Sequence, residues 1–434
     1  MTKKFFKYAV PSAIAMFISS MYTVIDGIFV GQGVGDSALA AVNIVLPFTV
    51  LLFGLASMFA IGGGALVSKN FGANNTEKAV NIFRQVFKFL LILSIGISII
   101  GAFFTEGIVN LLGATQKLQT MSVEYLRFYA LFCIPNLAGI VLSSFVRNDG
   151  RPKLAMVSTI CGAVTNIILD YVFIFQLGFG IKGAAIATGL GQIVTVCMLL
   201  PHFLKGKGQL TFGKVRLNKE IIKEFSLIGF PSFFAQASYS IIVLLHNIAL
   251  AKYVGDVGIS AYSIINYLTT NIYMVLYGIT LGVQPLLSYN YGRKDAEKLI
   301  GFFKITCISS LLISGAFVIT SFVFGQNLIG IFTSDPYIAK LAYRALRVAS
   351  FSYFVVGLNL NTLVYYQAIE KPMYSNISCI CRSVIFLPIC LFIFGSMFGI
   401  NGIWISATVS ESLTFITIKL IANVKTSTQA VFAE

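Results

Sequence analysis

Apolar residues in this chain gather into long runs separated by short polar stretches. About 20 residues in a helix, rising 1.5 Å each, cross the roughly 30 Å hydrocarbon core of a bilayer, so an apolar run of that length reads as a transmembrane helix. Spans are expected near residues 8–30, 38–66, 84–104, 121–146, 153–175, 182–203, 226–251, 258–287, 301–323, 340–368, 373–394 and 401–422. Several are longer than a crossing requires, which implies tilt or extension beyond the bilayer.

Composition agrees with a polytopic membrane protein. Of 434 residues, 57% are hydrophobic and 11% charged, and the mean hydropathy is +0.86; a soluble domain carries about 25% charged residues. The formal net charge of +15 does not point to nucleic acid, because Lys and Arg cluster in alternate loops. Lys3, Lys4 and Lys7 precede the first span; Lys69, Lys78, Arg84 and Lys88 follow the second; Arg147, Arg151 and Lys153 follow the fourth. The stretch 204–225 and the loop after the eighth span are basic too. This bias places both termini in the cytoplasm of a multi-pass cell-membrane protein. The seven cysteines (Cys133, Cys161, Cys197, Cys307, Cys379, Cys381, Cys390) fall within apolar runs and read as reduced packing residues, with no disulfide or metal framework. The basic, then apolar, start could pass for a signal peptide, but the same segment recurs in mid-chain, which argues against cleavage.

That recurrence sets the architecture. Shifted by 220 residues, Pro11-Ser12 meets Pro231-Ser232, Val34-Gly35-Asp36 meets Val254-Gly255-Asp256, and Glu77-Lys78 meets Glu297-Lys298. From Pro11 to Lys78, 18 of 68 positions are identical without a gap, and shared apolar composition alone does not keep Gly, Asp, Asn and Pro in step. Each repeat holds six spans. Six is even, so both halves enter the membrane in the same direction, and their pseudo-two-fold axis runs along the membrane normal. The expected fold is all-α, with twelve transmembrane helices in two six-helix lobes: 1–203 and 226–434, joined by a cytoplasmic linker at 204–225. Rocking such lobes about a cleft gives alternating access.

The candidate chemistry is a pair of acids inside the apolar runs, Asp26 and Asp170. A carboxylate at membrane depth costs roughly 2.5–3.5 kcal/mol even on the insertion scale, so it marks a function or a partner. Counted at 1.5 Å per residue, Asp26, Asp170, Tyr125 and Thr188 all lie about four to six residues from the outer ends of their spans. Asn166 sits one turn from Asp170 on the same face. Tyr125 and Thr188 would mean little alone, since membrane Tyr and Thr commonly serve interfaces and their own backbone; the constellation raises them. Its oxygens suit Na⁺, with Asp26, Asn166, Asp170 and Thr188 as ligands. They suit a proton equally, because two like charges in low dielectric resist double ionisation.

The second lobe lacks this set: 220 residues on stand His246, Ala345, Phe386, Cys390 and Thr408. His246 reads as a packing histidine or a titrating one. Arg382 and Glu411 lie at similar depth and are expected to form an intralobe ion pair; the alternative places Glu411 in the cleft, facing cationic substrate. Gln236, His246, Asn266, Asn271 and Gln284 are further candidate cleft-liners. Gly62-Gly63-Gly64 reads as a site of bending or close helix approach rather than of ligand binding. No P-loop or other enzyme motif occurs, so transport energy has to come from an ion gradient, with no ATPase subunit implied and no cofactor beyond H⁺ or Na⁺.

With these residues in hand, the chain resembles the MATE family of multidrug and toxic compound exporters. The resemblance rests on Pro11 and Asp26, on Val-Gly-Asp after spans one and seven, on Asn70-Phe-Gly and Asn290-Tyr-Gly, and on Arg147-Asn-Asp-Gly-Arg-Pro-Lys153, Asn166-x-x-x-Asp170 and Gly183-x-x-x-x-Thr188. It implies efflux of organic cations in exchange for H⁺ or Na⁺. It also implies an N-lobe cation site at Asp26, Tyr125, Asn166, Asp170 and Thr188, and a kink at Pro11 that couples ion binding to substrate release. A second subgroup carries a carboxylate in the first span of the second lobe; here that region reads Gln236-Ala-Ser-Tyr-Ser240, without an acid. Competing readings are a flippase or exporter of a lipid-linked or other metabolite, which would call for a charged cleft, and a receptor or scaffold without transport.

Overall fold

The structure, a computed structural model, describes residues 1–425, with side chains as far as residue 422. Residues 426–434, and with them the expected cytoplasmic C-terminus, lie outside the described residues. Among the latter every regular element is helical. The spans are α1 (Thr2–Gly33), α2 (Asp36–Gly72), α3 (Thr76–Phe103), α4 (Gln116–Leu131 and Cys133–Asn148, bent by 52° at Phe132), α5 (Pro152–Asp170, continuing as a π-helical turn over Tyr171–Gln176) and α6 (Ile181–Leu204). They continue with α7 (Lys219–Val254), α8 (Asp256–Gly292), α9 (Ala296–Val323) and α10 (Pro336–Ala368). The last apolar stretch, Pro372–Ala422, has 51 residues, about 77 Å if straight at 1.5 Å per residue and far more than one crossing. It turns at Gly399 (φ 56°, ψ −134°), where a side chain would be strained. The two sides are α11 (372–398) and α12 (400–425), and the spans number twelve, each containing one of the apolar runs.

The duplicated sequence becomes duplicated backbone. Gly35 (φ 110°) links α1 to α2 and Gly255 (φ 71°) links α7 to α8, a conformation open to glycine at little cost. Asn74 and Lys294 take the left-handed conformation at matching positions (φ 60° and 57°). The following residues cap the next helix: Asn75 Oδ1 accepts from Lys78 N at 3.1 Å and Asp295 Oδ1 from Lys298 N at 3.0 Å.

Val10–Phe233 forms one compact unit; the chain from Phe234 onward, together with Met1–Ala9, forms the other. In the first unit α2 and the start of α7 cross backbone to backbone. A Cβ on Gly62 would run into the carbonyl of Phe225, and one on Gly229 into the carbonyl of Met58. Gly63 faces Val86 and Phe145, and Gly64 faces Asn148. The glycine run thus serves close approach, and α2 passes through it unbroken.

The stretch 204–225 is not all connection. Asn218 Oδ1 accepts from Glu220 N at 2.7 Å, and α7 starts at Lys219, seven residues before the expected 226. Residues 205–218 lie against their unit as a strap. The Asp149 carboxylate accepts from Gln209 N (3.0 Å) and Leu210 N (3.2 Å), and it holds His202 Nε2 at 2.7 Å. Arg84 donates to Thr211 O at 2.9 Å and Lys88 to Val215 O at 3.0 Å. Leu210 is fully buried, a contribution of about 1.5–3 kcal/mol. Phe212 packs 5.4 Å from Phe83 and from Phe203, ring centre to ring centre.

In the second unit a π-helical turn over Cys381–Phe386 aims Arg382 at Glu411 on α12. Arg382 Nη2 lies 2.6 Å from Glu411 Oε1, and both side chains are buried. Asn359 Nδ2, from α10, donates to Glu411 Oε2 at 2.6 Å, and Ser410 Oγ donates to Arg382 O at 3.0 Å. Such a pair tolerates replacement of both partners better than loss of one.

Two outcomes are expected. Gly229→Val pushes α7 off α2 and should abolish a monodisperse peak in size-exclusion chromatography, whereas Ala at the exposed Gly107, where a Cβ meets nothing within 4 Å, should leave the peak intact. Arg382→Met strands a buried carboxylate and should cost about 3–5 kcal/mol, while Arg382→Met with Glu411→Leu should recover most of it, read from unfolding midpoints in detergent.

Candidate functional site

The four helices named by the sequence bring their polar groups together inside the first unit. α5 and α6 approach through glycine: a Cβ on Gly191 would come within 2.7 Å of Gly162 O. That contact sets the two helices close enough for Asn166 Nδ2 to donate to Thr188 Oγ1 at 3.4 Å. One turn along α5, Asp170 is fully buried, at the point where the helix widens into its π turn, a device found mostly at functional sites. The bend in α4 seats the Phe132 ring on Gly189 of α6 and leaves Tyr125 buried on the segment before it.

α1 supplies Asp26, whose carboxyl group comes within hydrogen-bonding reach of Asp170. Tyr125 lies within electrostatic range of both acids. Asp26 Oδ1, Asn166 Oδ1 and both carboxylate oxygens of Asp170 are buried and accept no hydrogen bond. Four buried acceptor atoms without a donor, in a region with no water to supply one, are costly. They are also the chemistry that a cation or a proton satisfies.

Two residues belong here that the sequence reading passed over. Tyr22 lies one turn before Asp26 on α1 and within electrostatic range of both acids and of Tyr125. Tyr129 lies one turn after Tyr125 and stacks on it at 6.0 Å. The spacing i, i+4 was the available signal for both.

The second unit is arranged differently. His246 is buried, its Nδ1 2.8 Å from Ile242 O, and its ring lies flat on Tyr262 at 5.1 Å. These are the contacts of a packing histidine. Gln284 is buried and donates to Ser288 Oγ at 3.2 Å. Asn266 Oδ1 accepts from Tyr239 Oη at 3.0 Å, and Asn271 Nδ2 donates to Tyr267 O at 2.8 Å on its own helix. Gln236 is half-buried on α7. Glu411 has both carboxylate oxygens engaged by Arg382 and Asn359. Pro11 lies buried within α1, which runs on through it.

The chain has close relatives in both sequence and structure. Multidrug export protein MepA of Staphylococcus saprophyticus is 29% identical over 417 residues, covering 95% of this chain and 92% of its own. Multidrug export protein MepA of Staphylococcus aureus (strain NCTC 8325 / PS 47) is 26% identical over 430 residues, with coverages of 96% and 93%. Among solved structures, an outward-facing multidrug resistance MATE family transporter of the MOP superfamily matches the fold with a TM-score of 0.94 at 24% identity, over 100% of this chain and 97% of that one. A MATE structure described as being in the straight conformation matches with the same score, identity and coverage. The family model for MatE matches twice, over residues 11–172 and 231–392, the same 220-residue shift that relates Pro11 to Pro231. With well over half its length matched in this way, the chain belongs to the MatE family and is a twelve-helix membrane transporter rather than an enzyme.

Proposed function

We propose that this transporter is a multidrug efflux antiporter of the cell membrane, with both termini cytoplasmic, that exports organic cations in exchange for H⁺ or Na⁺. The observation that carries the coupling is the set of four buried oxygen atoms without donors on Asp26, Asn166 and Asp170. Only two acids converge there: among the described residues no group of three His, Cys, Asp or Glu could hold a metal ion. Two carboxylates with amide, hydroxyl and phenol oxygens suit a proton or a hard monovalent cation better than a transition metal. The MepA relatives, named as multidrug export proteins, support the substrate class.

In this reading Asp26 and Asp170 hold the incoming ion, and Asn166 and Thr188 orient the α5–α6 side of the site. Tyr125 and Tyr22 cover it from α4 and α1. Pro11 has no N–H to donate, so one helical bond is missing there and α1 is easier to bend. A change of charge at Asp26, about four turns along the same helix, acts on that weak point and so links ion binding to movement of α1.

The test is efflux of a fluorescent organic cation from proteoliposomes, with a pH gradient and a Na⁺ gradient imposed separately. The wild type should transport under one of them. Asp26→Asn and Asp170→Asn should each insert normally and lose coupled efflux, whereas full activity in the double variant would remove the coupling site. Tyr125→Phe and Tyr22→Phe should each cost about fivefold in rate, the worth of one hydrogen bond of about 1 kcal/mol. Absence of flux under either gradient would turn the assignment toward a lipid-linked or metabolite substrate.

A further inference from the structure

The strap at 205–218 and the first turns of α3 enclose an open groove of about 680 Å³, lined by Arg84, Lys88, Lys214 and Arg216 with Phe87 and Leu91. No acidic side chain lines it. Arg84 and Lys88 are anchored by their bonds to Thr211 and Val215. Lys214 and Arg216 are exposed, and among the described residues neither makes an ion pair or a side-chain hydrogen bond. Four cations held around one groove repel each other, and that arrangement is relieved by an anion.

The groove continues into an apolar stripe. Lys88, Ile92, Ile95 and Ile99 follow one another at helical spacing on α3, and the three isoleucines are about half exposed (52%, 46% and 51%). On a span this hydrophobic, that stripe faces hydrocarbon. A free anion would use the cations and leave the stripe idle. A molecule with an anionic head and apolar tails uses both, with its head at the end of the span and its tails along it.

We infer that the groove between α3 and the strap binds an anionic phospholipid, its headgroup phosphate held by Lys214, Arg216, Lys88 and Arg84 and its acyl chains laid along Leu91, Ile92, Ile95 and Ile99. The site lies wholly within the first unit and is independent of what the transporter exports.

The purified full-length protein in neutral detergent tests this. Phosphatidylglycerol should raise the thermal midpoint saturably, while phosphatidylcholine of the same chain composition and inorganic phosphate should not. Lys214→Gln with Arg216→Gln removes two unpaired surface charges and should leave the lipid-free midpoint unchanged. It should raise the half-saturating phosphatidylglycerol concentration at least about tenfold. An equal response in the variant, no response in the wild type, or an equal rise with inorganic phosphate alone would each overturn the assignment.

Discussion

A polar group without a partner costs several kcal/mol in hydrocarbon, and that cost shapes almost every feature of this chain. The backbone meets it by staying helical and by turning where glycine removes the penalty, at Gly35, Gly255 and Gly399. Ser and Thr hydroxyls meet it by bonding back one turn, as Thr280 does to Leu276 and Ser406 to Gly402. Arg382 and Glu411 meet it by pairing. The oxygens of Asp26, Asn166 and Asp170 are the place where several such groups converge and the cost is left unpaid by the protein alone.

The two repeats share what makes the scaffold and differ in what fills it. The left-handed residues, the caps and the glycine turns recur 220 residues apart because they are conditions for making these helices and joints. Asp26 and Asp170 become His246 and Cys390, and neither replacement brings a charge that needs an external partner: His246 bonds Ile242 and stacks on Tyr262. The second unit carries its buried charge at Arg382 and Glu411 instead, neutralised in place. One half thus keeps a polar centre open while the other closes its own.

The spans were legible because a bilayer imposes a length, and the repeat because Gly, Pro, Asn and Asp at joints leave little freedom. Counting depth along each helix was enough to gather Asp26, Tyr125, Asn166, Asp170 and Thr188, and to match Arg382 with Glu411. Tyr22 and Tyr129 were missed since tyrosine in a span has an ordinary interfacial explanation, and only the structure shows them beside the acids. Gln284 could be read as lining a cleft because a polar side chain in a helix does not announce its partner, here Ser288 one turn on. The strap was hidden for a related reason: a basic, loop-like stretch gives no sign that Asp149, Arg84 and Lys88 hold its backbone.

Met1–Ala9 belongs with the residues after Phe234, although the rest of α1 belongs with Val10–Phe233. Lys4 Nζ rests 5.3 Å over the Tyr289 ring, and Phe5 is 1% exposed. The first segment to leave the ribosome therefore acquires its neighbours only after more than half of the chain has been made. Until then the aromatic side of that opening turn is uncovered, and contacts of such long sequence separation form late. The amino end acts as a clasp that closes last, so assembly of the second unit is tied to the survival of the first nine residues through all of synthesis.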